Sequence, residues 1–195
     1  MEHTHVPLIG SEIPAIDLEI FHENNIKKIN LREAYKGKWV VLFFYPADFT
    51  FVCPTELREM ANLYPQFAEI NTEVVSVSTD TAFVHKAWFD NSKAISEVQF
   101  PMAADPTGVL CKALGTYIAE EGLSYRASFV IDPDGIIKAY EIHDNSIGRS
   151  AAELLRKLQA AQYVKEHGAE VCPANWKPGS DTLKPGVDLI GKIYI

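Results

Sequence analysis

The sequence predicts an α/β protein with a mixed central sheet, and three observations carry that expectation. Trp39–Tyr45 is an unbroken, β-rich run, which suits a strand covered on both faces. Segments with helical spacing separate the candidate strands, the order expected of parallel crossovers. Two later strands, 127–131 and 136–142, are joined only by Asp132-Pro133-Asp134-Gly135, a tight-turn string that makes them antiparallel neighbours.

The elements follow in order. Residues 15–20 alternate apolar and acidic, and 26–31 carry Ile26, Ile29 and Leu31; with Asn24-Asn25 between them they read as an N-terminal hairpin. After the central strand, Thr55–Ile70 places Leu57, Met60, Ala61, Tyr64, Phe67 and Ala68 on one helical face, with Pro65 expected to kink it. Glu73–Thr79 repeats the buried-strand pattern, and Thr81–Ile95 is a second helix of weaker periodicity. Asp105-Pro106 and Gly115 read as N-cap, first-turn proline and stop of a short third helix. Ser150-Ala151-Ala152-Glu153 reads as a capping box, opening a helix with Leu154, Leu155, Leu158 and Ala161 on one face. Residues 1–172 are read as one domain of thioredoxin-like layout, in which a central strand delivers a functional residue to a helix start. Residues 173–195, rich in Pro and Gly, are read as its extended C-terminal arm.

Composition narrows the function. The chain has 195 residues and a formal charge of −8, an acidic balance that argues against nucleic acid or an anionic membrane as partner. The longest apolar run is far short of the ~20 residues a spanning helix needs. Met1–Pro7 has neither a basic nor an apolar leader segment, so no signal peptide is expected. Three scattered cysteines, Cys53, Cys111 and Cys172, make no disulfide framework and no zinc half-site, and a reducing, cytoplasmic setting is the default. No nucleotide or serine-hydrolase string occurs, and neither a cofactor nor a metal is expected.

That leaves the thiols. Cys53 stands where the central strand runs off into a helix, the edge at which open α/β sheets hold their ligands. Pro54 suits a first helical position, so the sulfur should lie beside unsatisfied helix amides. An ordinary thiol near ~8.5 is only a few per cent thiolate at neutral pH, and lowering one to ~6 takes roughly 3.4 kcal/mol. A helix terminus supplies about 0.3–1 kcal/mol, at most about 2. A hydroxyl and a cation must supply the remainder: Thr50 from the same turn, and Arg126, which precedes the strand at 127. The competing reading of Cys53 is a small buried hydrophobe. Cys111, between Leu110 and Ala113, reads as packing, and Cys172, in a polar tail, reads as accessible. Two distant thiols, one poised and one tethered, suggest a sulfenic acid and its resolving partner. His85, His143, Arg58, Lys86, Lys157, Trp88 and Phe89 read as structural or surface residues.

The stretch Phe43-Phe44-Tyr45-Pro46-Ala47-Asp48-Phe49-Thr50-Phe51-Val52-Cys53-Pro54-Thr55-Glu56 resembles the active-site signature of typical two-cysteine peroxiredoxins, on the side of the bacterial alkyl hydroperoxide reductases. Supporting blocks run through almost the whole chain: Ser76–Asp80, His85–Trp88, Asp105–Gly108, Arg126 before Ser128–Asp132, Gly148–Ser150 and Glu170–Ala174. The resemblance implies a thioredoxin-like fold and a thiol peroxidase acting on hydrogen peroxide and organic hydroperoxides. Cys53 would be the nucleophile, Thr50 and Arg126 would hold thiolate and peroxide, and Pro46 would shield the sulfur. Glu56 and Arg149 would orient Arg126. Cys172 would resolve the sulfenic acid across a homodimer, itself assembling into a decamer. A flavoprotein disulfide reductase or thioredoxin would regenerate the thiols. Members prone to overoxidation carry a Gly-Gly-Leu-Gly insertion and a C-terminal Tyr-Phe pair. Here Ile118–Leu123 and Lys192-Ile193-Tyr194-Ile195 stand instead, so a looser tail and greater resistance to peroxide are expected. Two rivals are a protein disulfide oxidoreductase, disfavoured because Thr50 leaves no C-x-x-C, and a non-enzymatic scaffold or holdase.

Overall fold

The computed structural model describes residues 7–193. The chain forms two compact units, the first ending at Ala151 and the second beginning at Ala152. The second unit therefore begins well before residue 173, where the sequence reading starts its arm.

The first unit is a seven-stranded mixed sheet with helices, the thioredoxin-like α/β layout. Its elements are β1 (Asp17–His22), β2 (Asn25–Asn30), α1 (Leu31–Ala34), β3 (Trp39–Phe44), α2 (Cys53–Glu69), β4 (Thr72–Ser78), α3 (Ala82–Asn91), β5 (Met102–Ala104), α4 (Val109–Ala113), β6 (Tyr117–Ile118), β7 (Leu123–Ser124), β8 (Arg126–Ile131) and β9 (Ile137–His143). The strand order is β2-β1-β5-β4-β3-β8-β9, with β6 and β7 as a separate small ladder. Every residue of β3 is buried, as its unbroken apolar run requires. It lies parallel to β4 and antiparallel to β8.

The N-terminal hairpin forms in the register Asp17 opposite Asn30, and Glu23 and Asn24 take the positive φ values of 49° and 62° that a two-residue turn of matching twist needs. It joins the main sheet through β5, a strand of three residues bounded by Pro101 and Asp105-Pro106. That strand is too short to show periodicity in sequence, and it joins the hairpin to the four strands read after it in one seven-stranded sheet. Asp105-Pro106 turns the chain but does not open α4. The Gly108 amide bonds to Asp105 O at 2.8 Å, and Gly108 itself caps the helix at φ +66°. A β-carbon there would meet the Tyr117 ring at 2.5 Å. The β8–β9 turn forms as expected, with Asp132 Oδ1 accepting the amides of Asp134 and Ile136, each at 3.0 Å. Helix α2 begins two residues earlier than its periodicity suggests and runs through Pro65 to Glu69.

The second unit holds most of α5 (Ala151–Glu166) and the C-terminal segment. Glu153 pairs with Arg156 at 2.8 Å, and Arg156 also donates to Trp176 O at 2.9 Å. Trp176 is buried and lies 5.0 Å from the Tyr163 ring, and Val171 and Leu183 form an antiparallel bridge. The segment after residue 173 is thus folded back on itself where the sequence suggested an extended chain. Tyr194 and Ile195, part of the tail comparison above, lie outside the described residues. Among the described residues no helix is long and apolar enough to cross a membrane.

Candidate active site

The chain leaves β3 after Phe44 and passes through Tyr45–Val52 before α2 begins at Cys53. Because β8 is antiparallel to β3, with Ala127 opposite Phe44, its first residue, Arg126, arrives at the same sheet edge. Helical spacing supplies the next component. Cys53, Glu56, Leu57 and Met60 form one buried stripe of α2 at i, i+3, i+4 and i+7, which seats a thiol and a carboxylate among apolar neighbours.

Arg126 Nη1 donates to Cys53 Sγ at 3.3 Å and to Glu56 Oε2 at 2.7 Å. Arg149 closes the other side of the carboxylate, its backbone N and Nε bonding to Oε1 at 2.8 and 2.9 Å and its Nη2 to Oε2 at 3.1 Å. Arg149 Nη1 donates to Ala127 O and Ser128 Oγ, and the guanidinium lies 3.6 Å over the Phe43 ring. Cys53 is fully buried, and Glu56, Arg126 and Arg149 are at most 6% exposed. Burial would raise the Glu56 carboxyl, but the hydrogen bonds and charge of Arg149, and then the charge of Arg126, hold it below the ordinary carboxylate range. Two buried guanidiniums thus share one carboxylate, and Cys53 Sγ is the further acceptor beside them. Arg126 is thus a buried cation in hydrogen-bond contact with the sulfur, a neighbour of the kind found beside reactive thiols.

Other expected contributors are arranged differently. Thr50 Oγ1 gives its proton to Ala47 O at 2.8 Å, so in this structure the hydroxyl proton is committed to the turn and the oxygen remains an acceptor. The helix amides are also partly spent: those of Thr55 and Glu56 bond to Val52 O at 3.0 and 3.2 Å. Val52, in place of Cys53, is the N-cap, and no side chain caps the helix. The cationic side chain, more than the helix terminus, is therefore what addresses the sulfur. Pro46 is buried in the same exit turn. Phe49 sits there at φ +54°, a left-handed conformation that costs a bulky residue about 1–3 kcal/mol and persists only when its surroundings hold it.

Asn145 is a component the sequence did not reveal. Its Oδ1 accepts the Arg126 backbone amide at 3.1 Å, and its carbonyl accepts Arg126 Nε at 3.0 Å. An Asn in a polar loop reads as a turn residue, and only the pairing of Arg126 with His143 at the end of β9 returns it to the site.

The other two thiols differ. Cys111 is fully buried, and burial with the neighbouring Asp105 carboxylate pushes its thiol up to about 12. Cys172, in the second unit, is half-buried with its Sγ 3.9 Å from Ala160 O; burial raises its thiol, the Arg156 charge opposes this and Glu170 adds to it.

The sequence matches the AhpC/TSA family over residues 9–140 and the C-terminal domain of 1-Cys peroxiredoxin over 160–192. It is 48% identical to alkyl hydroperoxide reductase C of Pseudomonas aeruginosa over 186 residues, covering 95% of this chain and 99% of that protein. It is 51% identical to the Staphylococcus epidermidis protein of the same name over 188 residues, with the same coverage. Among solved structures it superposes on Enterococcus faecalis AhpC with a TM-score of 0.84 at 46% identity, covering 86% of this chain and all of that one. It matches a reduced Plasmodium vivax 2-Cys peroxiredoxin with a TM-score of 0.89 at 33% identity, covering 94% and 96%. A buried thiol addressed by a fixed guanidinium, on a chain matched along nearly its whole length, leads to one conclusion: this protein belongs to the AhpC/TSA family and is a peroxiredoxin.

Proposed function

We propose that the enzyme reduces hydrogen peroxide and organic hydroperoxides through a sulfenic acid on Cys53, resolved by Cys172 of a neighbouring subunit. The observation that carries the reading is the 3.3 Å contact between Arg126 Nη1 and Cys53 Sγ, with Glu56 and Arg149 fixing the guanidinium.

The Cys53 thiolate attacks one oxygen of R–O–O–H. The S–O bond forms to the O–H oxygen as the O–O bond breaks, that oxygen keeps its hydrogen as S–OH, and the departing RO⁻ takes a proton from solvent water to leave as water or an alcohol. Nucleophilicity falls as a thiol becomes more acidic, so the acceleration has to come from stabilising charge on the leaving oxygen. Arg126 is the donor for that charge, and the Thr50 oxygen is an acceptor for the proton the peroxide carries. Burial of the sulfur, with Pro46 in the exit turn, limits attack to small peroxides. Cys172, held as a thiol by its surroundings, does not compete for them.

The Cys172 thiol then condenses with Cys53–S–OH, forming the disulfide and releasing water. A disulfide allows only ~4.4–6.8 Å between Cα atoms, so a buried Cys53 has to leave its place by unwinding the first turn of α2. The absence of a side-chain cap at Val52 makes that turn the weak end of the helix. An external dithiol, from a flavoprotein disulfide reductase or thioredoxin, returns both thiols. The working form is a cytoplasmic homodimer assembled into a decamer. The departure at 118–123 favours resolution over sulfinic acid formation.

Peroxide consumption with a dithiol reductant tests the reading. Cys53→Ser should abolish turnover. Wild type should give a peroxide-induced dimer on a non-reducing gel that Cys172→Ser loses. Full turnover by Cys53→Ser, or a monomeric band under oxidant, would overturn it.

A further inference from the structure

The exit turn that carries Pro46 and Thr50 to Cys53 is anchored by a buried polar pair that the chemistry above does not use. Asp48 and His85 have fully buried side chains, with Asp48 Oδ2 2.7 Å from His85 Nδ1. His85 Nε2 lies 3.2 Å from Ala103 O in β5. A carbonyl only accepts, so Nε2 carries a hydrogen, and one further proton lies between Nδ1 and Oδ2. The second carboxylate oxygen, Oδ1, accepts the Tyr45 hydroxyl at 2.7 Å, and burial and Asp48 hold that phenol protonated by raising it well above its ordinary range. The Asp48 backbone amide donates to Asp80 Oδ2 at 2.8 Å.

Asp48 is therefore tied at three points, to α3, to the end of β3 and to the loop after β4. Its chain neighbours are the two residues whose shape matters most here. Ala47 supplies the carbonyl that holds the Thr50 hydroxyl, and Phe49 adopts φ +54°. A phenylalanine in the left-handed region relaxes toward the extended or right-handed regions unless both flanks are fixed. Relaxation at Phe49 would swing Thr50 and the chain leading to Cys53.

We propose that Asp48 and His85 are positioning residues for the peroxide step: their buried pair, between α3 and the exit turn, clamps Tyr45–Thr50 in the conformation that sets Thr50 and Cys53 for attack. The proposal rests on the peroxidase reading. It predicts a division between the two half-reactions. Oxidation of Cys53 needs the clamped turn, whereas condensation with Cys172 needs the turn to open, so loosening the clamp slows the first and leaves the second unchanged or faster.

The test measures both rates in single turnovers of the full-length protein with hydrogen peroxide, below the unfolding midpoint of each variant. Asp48→Ala and His85→Phe should slow Cys53 oxidation at least tenfold without slowing disulfide formation from the sulfenic acid. Asp48→Asn can still accept from Tyr45 and donate to a neutral Nδ1, and it should restore most of the loss. Ile137→Ala, a core truncation at the far end of β9, should lower stability without that division. If Asp48→Ala or His85→Phe does not fold, Tyr45→Phe, which removes one anchor and keeps the ring, should slow oxidation about threefold. Wild-type rates in all foldable clamp variants, equal slowing of both steps, or an Asp48→Asn as slow as Asp48→Ala would overturn the clamp. A wild-type protein that consumes no peroxide would overturn the parent reading instead.

Discussion

Cys53 and Cys111 are each fully buried, each lies in the first turns of a helix, and each has a charged side chain against it. The sign of that neighbour separates them. Cys53 faces the Arg126 guanidinium at 3.3 Å. Cys111 lies against Asp105, whose Oδ2 accepts the Cys111 amide at 2.8 Å and whose charge adds to burial in pushing the thiol up to about 12. Burial penalises any thiolate, so burial alone would leave both inert. A buried thiol becomes a nucleophile only when a counter-charge is buried with it, and here the Arg126 charge is held by the Glu56 carboxylate, which Arg149 binds from the other side. The origins differ as well: Asp105 is a near neighbour in sequence, whereas Arg126 is 73 residues from Cys53.

The comparison can be broken most sharply at Arg126. Arg126→Met keeps the stem and removes the charge, and should slow Cys53 oxidation about 100–1000-fold, the scale of losing a transition-state donor. A stopped-flow rate within tenfold of wild type would erase the distinction between the two thiols.

Glu56→Gln attacks the support in place of the donor. Two buried guanidiniums would lose their shared carboxylate, and unfolding free energy should drop by about 3–5 kcal/mol in a urea titration. The same residue sets an acid limb. Its carboxyl is held below the ordinary 4.5 in the folded protein, so its stabilisation is full above that value and is lost as pH falls through the lowered one. The stability gap between wild type and Glu56→Gln should therefore shrink below about pH 4.5, and a gap independent of pH would contradict the ion-paired carboxylate.

The smallest effects belong to Cys111. Cys111→Ala should leave the peroxide rate within about twofold and cost about 1 kcal/mol of stability, as a small core truncation does. In the native wild type, a thiol reagent at pH 8 should label Cys172 well before Cys111. Prompt labelling of Cys111 would show that its carboxylate neighbour does not silence it.

Much of this was legible one element at a time. The apolar face of α2 from Leu57 onward follows from helical spacing, whereas Cys53 and Glu56 join that stripe only because the helix starts two residues earlier, and the pairing of Glu56 was implied by the family resemblance alone. The central strand announced itself because a strand covered on both faces carries no polar alternation. Residues 102–104 were missed because three residues cannot display a period, and the start of α4 was misplaced because an Asp-Pro pair turns a chain as readily as it caps a helix. Asn145 and the pair of Asp48 with His85 left no mark. Their partners are brought in by β9, α3 and β5, and each looks like an ordinary loop or helix residue along the chain.

By itself the sequence determined most of the long strands and helices, that a thiol stands at a strand-to-helix junction, and which family the chain resembles, because these depend on local pattern and on motif order. Only the tertiary structure decided which charge meets which thiol. The antiparallel β3–β8 register carries Arg126 to Cys53, the return of Arg149 beneath it fixes Glu56, and the folding of α3 onto the exit turn seals His85 against Asp48. A buried charge is stable only with its partner in place, and that partner's position is a property of the packed sheet and not of any one segment.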